Sequence, residues 1–306
     1  MWLDIVVIGK NEEQNLSKLK LSISKLGEIV NKTIYVDAAS EDDSVQMAHS
    51  FCEVVVVLKK SEGNCASLGR RVGATYTEKD WVLFLDADME IHEQFCEWLS
   101  TFSNKTKNVG FVGKYMDVDV ERKKIKYRTF THRDGIARYF GGAVLLKRDA
   151  LLQSGNWSNS IYSNEEIELY ARMSRLNLKV EIIEEVMVNH YTEILPTKEK
   201  VLELFLWKRK TKMGPSQVFV KSIREGFFRY LLYLQPLPYI LFVVNILTLI
   251  LFSLTSVRVA LYWFIITHIL VIIINKNLKS IILAYIFQYS IIVGLLLQVP
   301  LVKRRL

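Results

Sequence analysis

Cysteine is scarce in this chain. Cys52, Cys65 and Cys96 form no CxxC pair and no zinc-ligand spacing, which argues against a disulfide framework or a structural zinc site. The thiols fit a reduced, cytosolic setting. A leader is not expected either. Met1-Trp2-Leu3-Asp4-Ile5-Val6 enters a strand-like run with no basic segment or cleavage site, so no signal peptide is expected. No internal repeat and no low-complexity linker interrupts the chain, so it reads as folded domains rather than an array. Long apolar runs are absent until Pro236 and dominate after it.

What is present in excess is positive charge. Forty Lys and Arg against 32 Asp and Glu give a net charge of +8 over 306 residues. Acidic partners follow: nucleic acid, small phosphate-bearing molecules or anionic lipid headgroups. The length suits one large domain or two smaller ones.

The first 90 residues alternate short apolar runs with helical stripes. Strands are expected at 3–8, 33–36, 53–58 and 81–85, with helices opening near Asn11, near Ser44 and over 68–77. Such alternation predicts an α/β fold with a mostly parallel, Rossmann-like sheet and helices on both faces. Ligands of these sheets bind beyond the carboxyl ends of the strands. Here those ends carry Gly9-Lys10-Asn11-Glu12, Asp37, Asp42 and Asp86-Ala87-Asp88. Further strands are expected over 109–115, 124–130, 141–146 and 179–188, and a helix over 165–176. Asn11 is a candidate cap for the first helix, and Asp42 or Asp43 for the second.

Trp81-Val82-Leu83-Phe84-Leu85-Asp86-Ala87-Asp88 runs five apolar residues into two carboxylates spaced one apart. Alternate side chains of a strand share a face, so both acids are expected to point the same way where the strand ends. Two hard oxygen donors there suit Mg²⁺ or Mn²⁺, and such an ion can hold a diphosphate. An ordinary Asx turn is the competing explanation.

Order and spacing carry more weight than any single motif. The stretches are Val6-Val7-Ile8-Gly9-Lys10-Asn11-Glu12-Glu13, Val36-Asp37-Ala38-Ala39-Ser40-Glu41-Asp42-Asp43-Ser44, Gly69-Arg70-Arg71-Val72-Gly73-Ala74 and the Asp86/Asp88 run. Gly141-Gly142, Lys147-Arg148-Asp149-Ala150-Leu151, Gly155-Asn156-Trp157 and Glu165-Glu166-Ile167-Glu168 follow. The set resembles the inverting GT-A glycosyltransferases of family 2, in their membrane-attached bacterial branch, over roughly the first 190 residues.

The resemblance implies a nucleotide-sugar donor and a divalent cation, Mn²⁺ or Mg²⁺. It implies that Asp37 holds the nucleotide base, with Ala38 standing where relatives often carry a second acid. Asn11 and Glu12 are implied beside the nucleotide, and Arg70 near the diphosphate. Asp88 is implied as the direct metal ligand, Asp86 as facing the ribose or a metal-bound water, and His190 as lying near the metal. Gly141 and Gly142 are implied to admit the sugar or acceptor closely. Glu166 is implied as general base on the acceptor hydroxyl, where relatives usually have Asp, with Glu165 the second candidate.

Residues 1–195 are therefore expected to form the GT-A domain. Residues 196–236 are basic, with apolar residues interleaved from Leu204, Phe205 and Trp207 to Tyr230, and read as amphipathic interfacial helices. Residues 237–306 read as a transmembrane region, with runs at 237–257, 259–274 and 278–302. The basic residues before the first run put the catalytic domain in the cytosol, on a multi-pass protein of the cytoplasmic membrane. Lys303-Arg304-Arg305 favours an even number of crossings, so two or three spans remain open.

The expected partners are a nucleotide-sugar, a lipid-linked or membrane-surface acceptor and the membrane itself. Nucleic acid is not expected, and a homo-oligomer is left open. The rival readings are a polyprenyl-phosphate glycosyltransferase, a catalytically inactive membrane adaptor with the same fold, and a nucleotidyltransferase. A processive synthase is disfavoured, because no QxxRW motif occurs and few spans are available for a channel.

Overall fold

β1 (Leu3–Gly9), apolar but for the buried Asp4, and β4 (Trp81–Asp86), apolar up to its last residue, lie side by side in the sheet. Leu3, Ile5, Val6 and Val7 of β1 and Trp81 through Leu85 of β4 have no exposure, as expected for strands covered on both faces. Burying each such side chain stabilises the fold by roughly 1.5–3 kcal/mol. The computed structural model describes residues 1–60, 64–103, 105–130, 135–137, 139–194, 199, 209–275 and 278–302. The chain divides into two compact units, Met1–Leu195 and Pro196–Leu306.

The first unit is one nine-stranded sheet with its helices. β2 (Val30–Asp37) and β3 (Val54–Val57) complete a parallel half in the order β3-β2-β1-β4. α1 (Glu13–Ser24), α2 (Ser44–Ala48) and α3 (Ala66–Ala74) make its crossovers, and α3 packs on β1 and β2. The second half is mixed. β8 (Val144–Lys147) runs antiparallel to β4 and to β6 (Gly110–Asp119), and β6 lies parallel to β9 (Glu181–Tyr191). β5 (Met89–Ile91) ends the sheet antiparallel to β9, and β7 (Lys124–Arg128) pairs with β6 off the main path. α4 (Glu93–Thr101) covers β9, α5 (Arg148–Gln153) covers β8, and α6 (Glu165–Arg175) follows.

Three local expectations are corrected. Asn11 is not the cap of α1, which begins at Glu13. Its side chain instead accepts the Glu41 N–H across the cleft at 2.9 Å. β4 stops at Asp86, and a turn carries Asp88 toward β5, so strand alternation does not orient the two acids. β9 continues through His190, which pairs with Met89 on one side and Asp117 on the other.

The second unit is helical: α7 (Arg209–Arg224), α8 (Phe228–Leu234), α9 (Pro236–Leu254), α10 (Val257–Asn275) and α11 (Leu278–Val302). Among the described residues only α9 is long and apolar enough to cross a membrane, at a mean hydropathy of 2.4. Leu204, Phe205, Trp207 and Lys303-Arg304-Arg305 lie outside the described residues. The described aromatics of the basic stretch are not a free apolar face. Phe227 is buried, and the Phe219 and Phe228 rings pack edge-on at 5.6 Å, with Phe219 against Phe242 at 5.2 Å.

Candidate functional site

β1 and β4 diverge in their onward connections, which opens a crevice at their carboxyl ends. A cleft of about 240 Å³ lies there, lined by Gly9, Lys10, Glu12, Cys65, Asp86 and Asp88 among others. The loops after β1 and β2 hold each other. Ser40 Oγ accepts the Asn11 N–H at 2.8 Å, Ser44 Oγ accepts the Glu12 N–H at 2.7 Å, and Asp42 takes the N–H groups of Glu13 and Ser44. Asp42 thus ties both helix starts.

Asp37 sits at the end of β2 with no exposure, and Ser40 donates to both of its oxygens. Each oxygen keeps a second lone pair, but the carboxylate is covered as the structure stands. Glu12 is half-buried on the cleft wall. Burial raises its carboxyl above the ordinary range, Asn15 opposes that with a hydrogen bond, and Asp88 and Asp86 add to the rise.

Arg70, expected beside the diphosphate, is instead buried among the protein's own acids. It donates to Asp86 at 2.6 Å and Glu165 at 2.8 Å, and approaches Glu166 at 3.6 Å. The Trp157 ring lies 5.0 Å from the guanidinium. One side chain on α3 therefore links the end of β4 to the start of α6. Asn164, in left-handed backbone at φ 62°, turns the chain into α6 and presents Glu165 and Glu166 at its first turn.

The two glutamates differ in access: 7% of the Glu165 side chain is exposed against 19% of Glu166. Burial and the adjacent Glu165 push the Glu166 carboxyl up to about 8, against the pull of Arg70. Gly141 and Gly142 face protein groups. A Cβ on Gly142 would collide with the Asp86 carboxylate, and one on Gly141 would come within 2.9 Å of the Tyr115 ring.

On the far side of Asp86, Asp88 meets His190. His190 Nε2 lies 3.4 Å from Asp88 Oδ2, while Nδ1 is 2.8 Å from Asp117 Oδ1. Burial works against the imidazolium, but Asp117 and Asp88 outweigh it and push the ring up to about 9. Asp88 Oδ1 is buried and has no hydrogen-bond partner. An orphaned carboxylate oxygen beside an imidazole anchored through its other nitrogen suits a divalent cation. A bound cation would displace the ring proton. Among the described residues no cluster of three or more His, Cys, Asp or Glu side chains could hold a metal alone. Such an ion would complete its shell with ligand oxygens and water, as Mg²⁺ and Mn²⁺ do.

Sequence reading missed Asp117, Arg128 and Tyr115. Arg128 reaches Asp117 at 3.0 Å and stands over the Tyr115 ring at 4.8 Å. No motif marks them. Their positions depend on the β6–β7 and β6–β9 registers, which join segments far apart in the chain.

Comparison with known proteins agrees with this architecture. An uncharacterized glycosyltransferase of Haemophilus influenzae is 24% identical over 181 residues, 56% of this chain and 61% of that protein. Among solved structures, S. aureus TarS 1-349 in complex with UDP-GlcNAc superposes with a TM-score of 0.53 at 14% identity, covering 73% of each chain. The mannosyltransferase PcManGT of Pyrobaculum calidifontis, in complex with GDP-Man and Mn²⁺, gives 0.59 at 13% identity over 96% of this chain and 86% of that one. These likenesses establish the GT-A fold. The family model for glycosyl transferase family 2 matches residues 4–166, over half of the chain, and the protein belongs to that family.

Proposed function

We propose that the chain is a membrane-attached, inverting glycosyltransferase. It moves a sugar from a nucleotide-sugar to a lipid-linked acceptor in the assembly of a surface polysaccharide or glycolipid. The observation that carries this reading is Arg70. It ties Asp86, two residues before Asp88, to Glu165 and Glu166, so the donor-side acid and a candidate base stand within one side chain's span. Relatives in complex with UDP-GlcNAc and with GDP-Man and Mn²⁺ support the donor class and the ion.

In this reading Asp88 and His190 hold the divalent cation, and Asp86 is fixed by Arg70 at the donor side. The cation, when bound, neutralises charge on the departing diphosphate. Glu166 takes the proton of the acceptor hydroxyl as that oxygen attacks the anomeric carbon opposite the leaving group. Glu165, more deeply buried, holds Arg70 in place. Glu12 and Asn11 flank the nucleotide, and Asp37 receives its base once the Ser40 loop opens.

Membrane attachment rests on α9. Only 17% of its most apolar window is buried, whereas the core helix of a soluble protein is mostly buried. The exposed apolar surface continues along α10 through Leu261, Tyr262 and Ile266. The basic residues before α9 favour a cytosolic catalytic unit.

The test is nucleoside diphosphate release from a panel of UDP-, GDP- and dTDP-sugars. Membranes carrying the wild type or Asp88→Ala would be assayed with Mn²⁺ or Mg²⁺ and then with chelator. Release from one donor, lost on mutation and on chelation, is the expected result. No release from any donor, with total lipid extract as acceptor, would sink the proposal in favour of an inactive adaptor.

A further inference from the structure

The β6–β7 hairpin has no role in the site beyond Asp117, Tyr115 and Arg128, yet its far end carries an unusual surface. In its register Met116 faces Tyr127, Asp117 faces Lys126, Val118 faces Ile125 and Asp119 faces Lys124. Residues alternate across the ribbon, so one face is apolar (Met116, Val118, Ile125, Tyr127) and the other charged. β7 pairs only with β6 among the described strands, and four of its five residues are exposed. Apolar exposure is greatest beside the turn: 65% at Val120, 63% at Ile125 and 58% at Tyr127.

The lysines of this tip are not spent inside the protein. Asp117 is engaged by His190 and Arg128, and Asp119 by Arg122 and by the N–H groups of Arg122 and Ile194. Arg122 also pairs with Glu193, and Lys114 with Glu184. Among the described residues Lys123, Lys124 and Lys126 have no ion-pair partner, and Glu121 is the only acid in the turn between the strands. Exposed aliphatic and aromatic side chains on one face, with unpaired lysines on the other face and in the turn, make a tip suited to a surface that is anionic outside and apolar beneath.

We propose that the turn of the β6–β7 hairpin docks tip-first on an anionic lipid bilayer. Val120, Ile125 and Tyr127 enter the headgroup layer, and Lys123, Lys124 and Lys126 meet lipid phosphates. The proposal rests on the reading of a membrane-attached enzyme and adds a second point of contact, on the catalytic unit itself. Because Asp117 and Arg128 join this hairpin to His190, docking would hold the metal side of the site at the bilayer surface. A lipid-borne acceptor is presented there.

The test is amide hydrogen exchange of the full chain in nanodiscs of phosphatidylcholine alone or of phosphatidylcholine with phosphatidylglycerol. Exchange over residues 119–127 should slow by about tenfold in the anionic discs. The Lys123→Gln/Lys124→Gln/Lys126→Gln variant should lose that protection, and the three Lys→Arg changes should keep it. Equal exchange in both discs, or full protection in the Gln variant, would overturn the proposal. Failure of the chain to enter either disc would instead strike the membrane reading on which it rests. Activity toward a soluble donor is read separately, so the transferase assignment is not confounded with docking.

Discussion

The two halves of the catalytic sheet deliver their functional side chains by different means. In the parallel half, β3-β2-β1-β4, acids appear at or just past strand ends: Glu12, Asp37, Asp86 and Asp88. In the mixed half, His190 and Asp117 lie within strands and are aimed by register, while Glu165 and Glu166 come from a helix start. Strand ends place a residue through local chain geometry. Register places it through pairing with distant segments, so the mixed half's chemistry depends on packing that no short motif records.

Arg70 joins the halves, and its removal is the hardest test of that division. Arg70→Ala would leave the buried Glu165 and the part-buried Asp86 without their cation. Breaking a buried pair on one side costs about 3–5 kcal/mol, so chemical unfolding of the first unit should shift by that order. Arg70→Lys keeps the charge but not the fork, and should recover only part of the loss. An unchanged unfolding midpoint for Arg70→Ala would mean that the halves are held together elsewhere.

Glu166→Gln tests the mixed half's chemistry with little change of shape. Turnover should fall by about 10²–10⁴, the usual contribution of a general base, while the unfolding midpoint holds. The pH dependence has a definite sign. The folded carboxyl is pushed up to about 8, so it is protonated below that pH and acts as a base only above it. The wild-type rate should rise with pH toward a limb near 8, moved downward by any cation bound nearby, and Glu166→Gln should abolish the limb. A limb that survives the substitution would assign the base elsewhere.

Much of the parallel half is legible from sequence because both faces of β1 and β4 are covered. Their apolar runs, 5–8 and 81–85, end in polar residues at the site. Glu165 and Glu166 are legible too, since acids gather in the first turn of a helix. The partner of Glu165 is not, because Arg70 lies 95 residues away and no local pattern links them. β5 has three residues, too few for any period to emerge. The ring packing of Phe219 with Phe228 and Phe242 is not legible either, because composition shows the aromatics and not their partners.

His190 sharpens the contrast on a smaller scale. Asp117→Asn keeps the strand but weakens the carboxylate that anchors the ring. Loss of such an anchoring partner costs about 10–100-fold in metal affinity. The cation concentration for half-maximal activity should rise accordingly, with the maximal rate largely recovered at saturating Mn²⁺. If the cation requirement does not move, His190 is a strand residue that only neighbours the site.

The smallest effect belongs to the parallel half, at the start of α3. Cys65 lines the cleft and caps that helix in extended backbone, with φ −151° and ψ 161°. Burial raises its thiol, the Leu68 N–H opposes the rise, and Cys52 is pushed up to about 12 by burial, so neither is a ready nucleophile. Cys65 makes no side-chain cap hydrogen bond, and Cys65→Ser would put a good acceptor at that position. A Ser cap contributes about 1 kcal/mol over a residue that does not accept, so the gain should lie at or below that value. The unfolding midpoint should rise slightly or stay level, with donor turnover unchanged. A marked loss of turnover would show that this strand-end loop senses the donor through Cys65, and the parallel half would then owe part of its chemistry to side-chain contacts as particular as those of the mixed half.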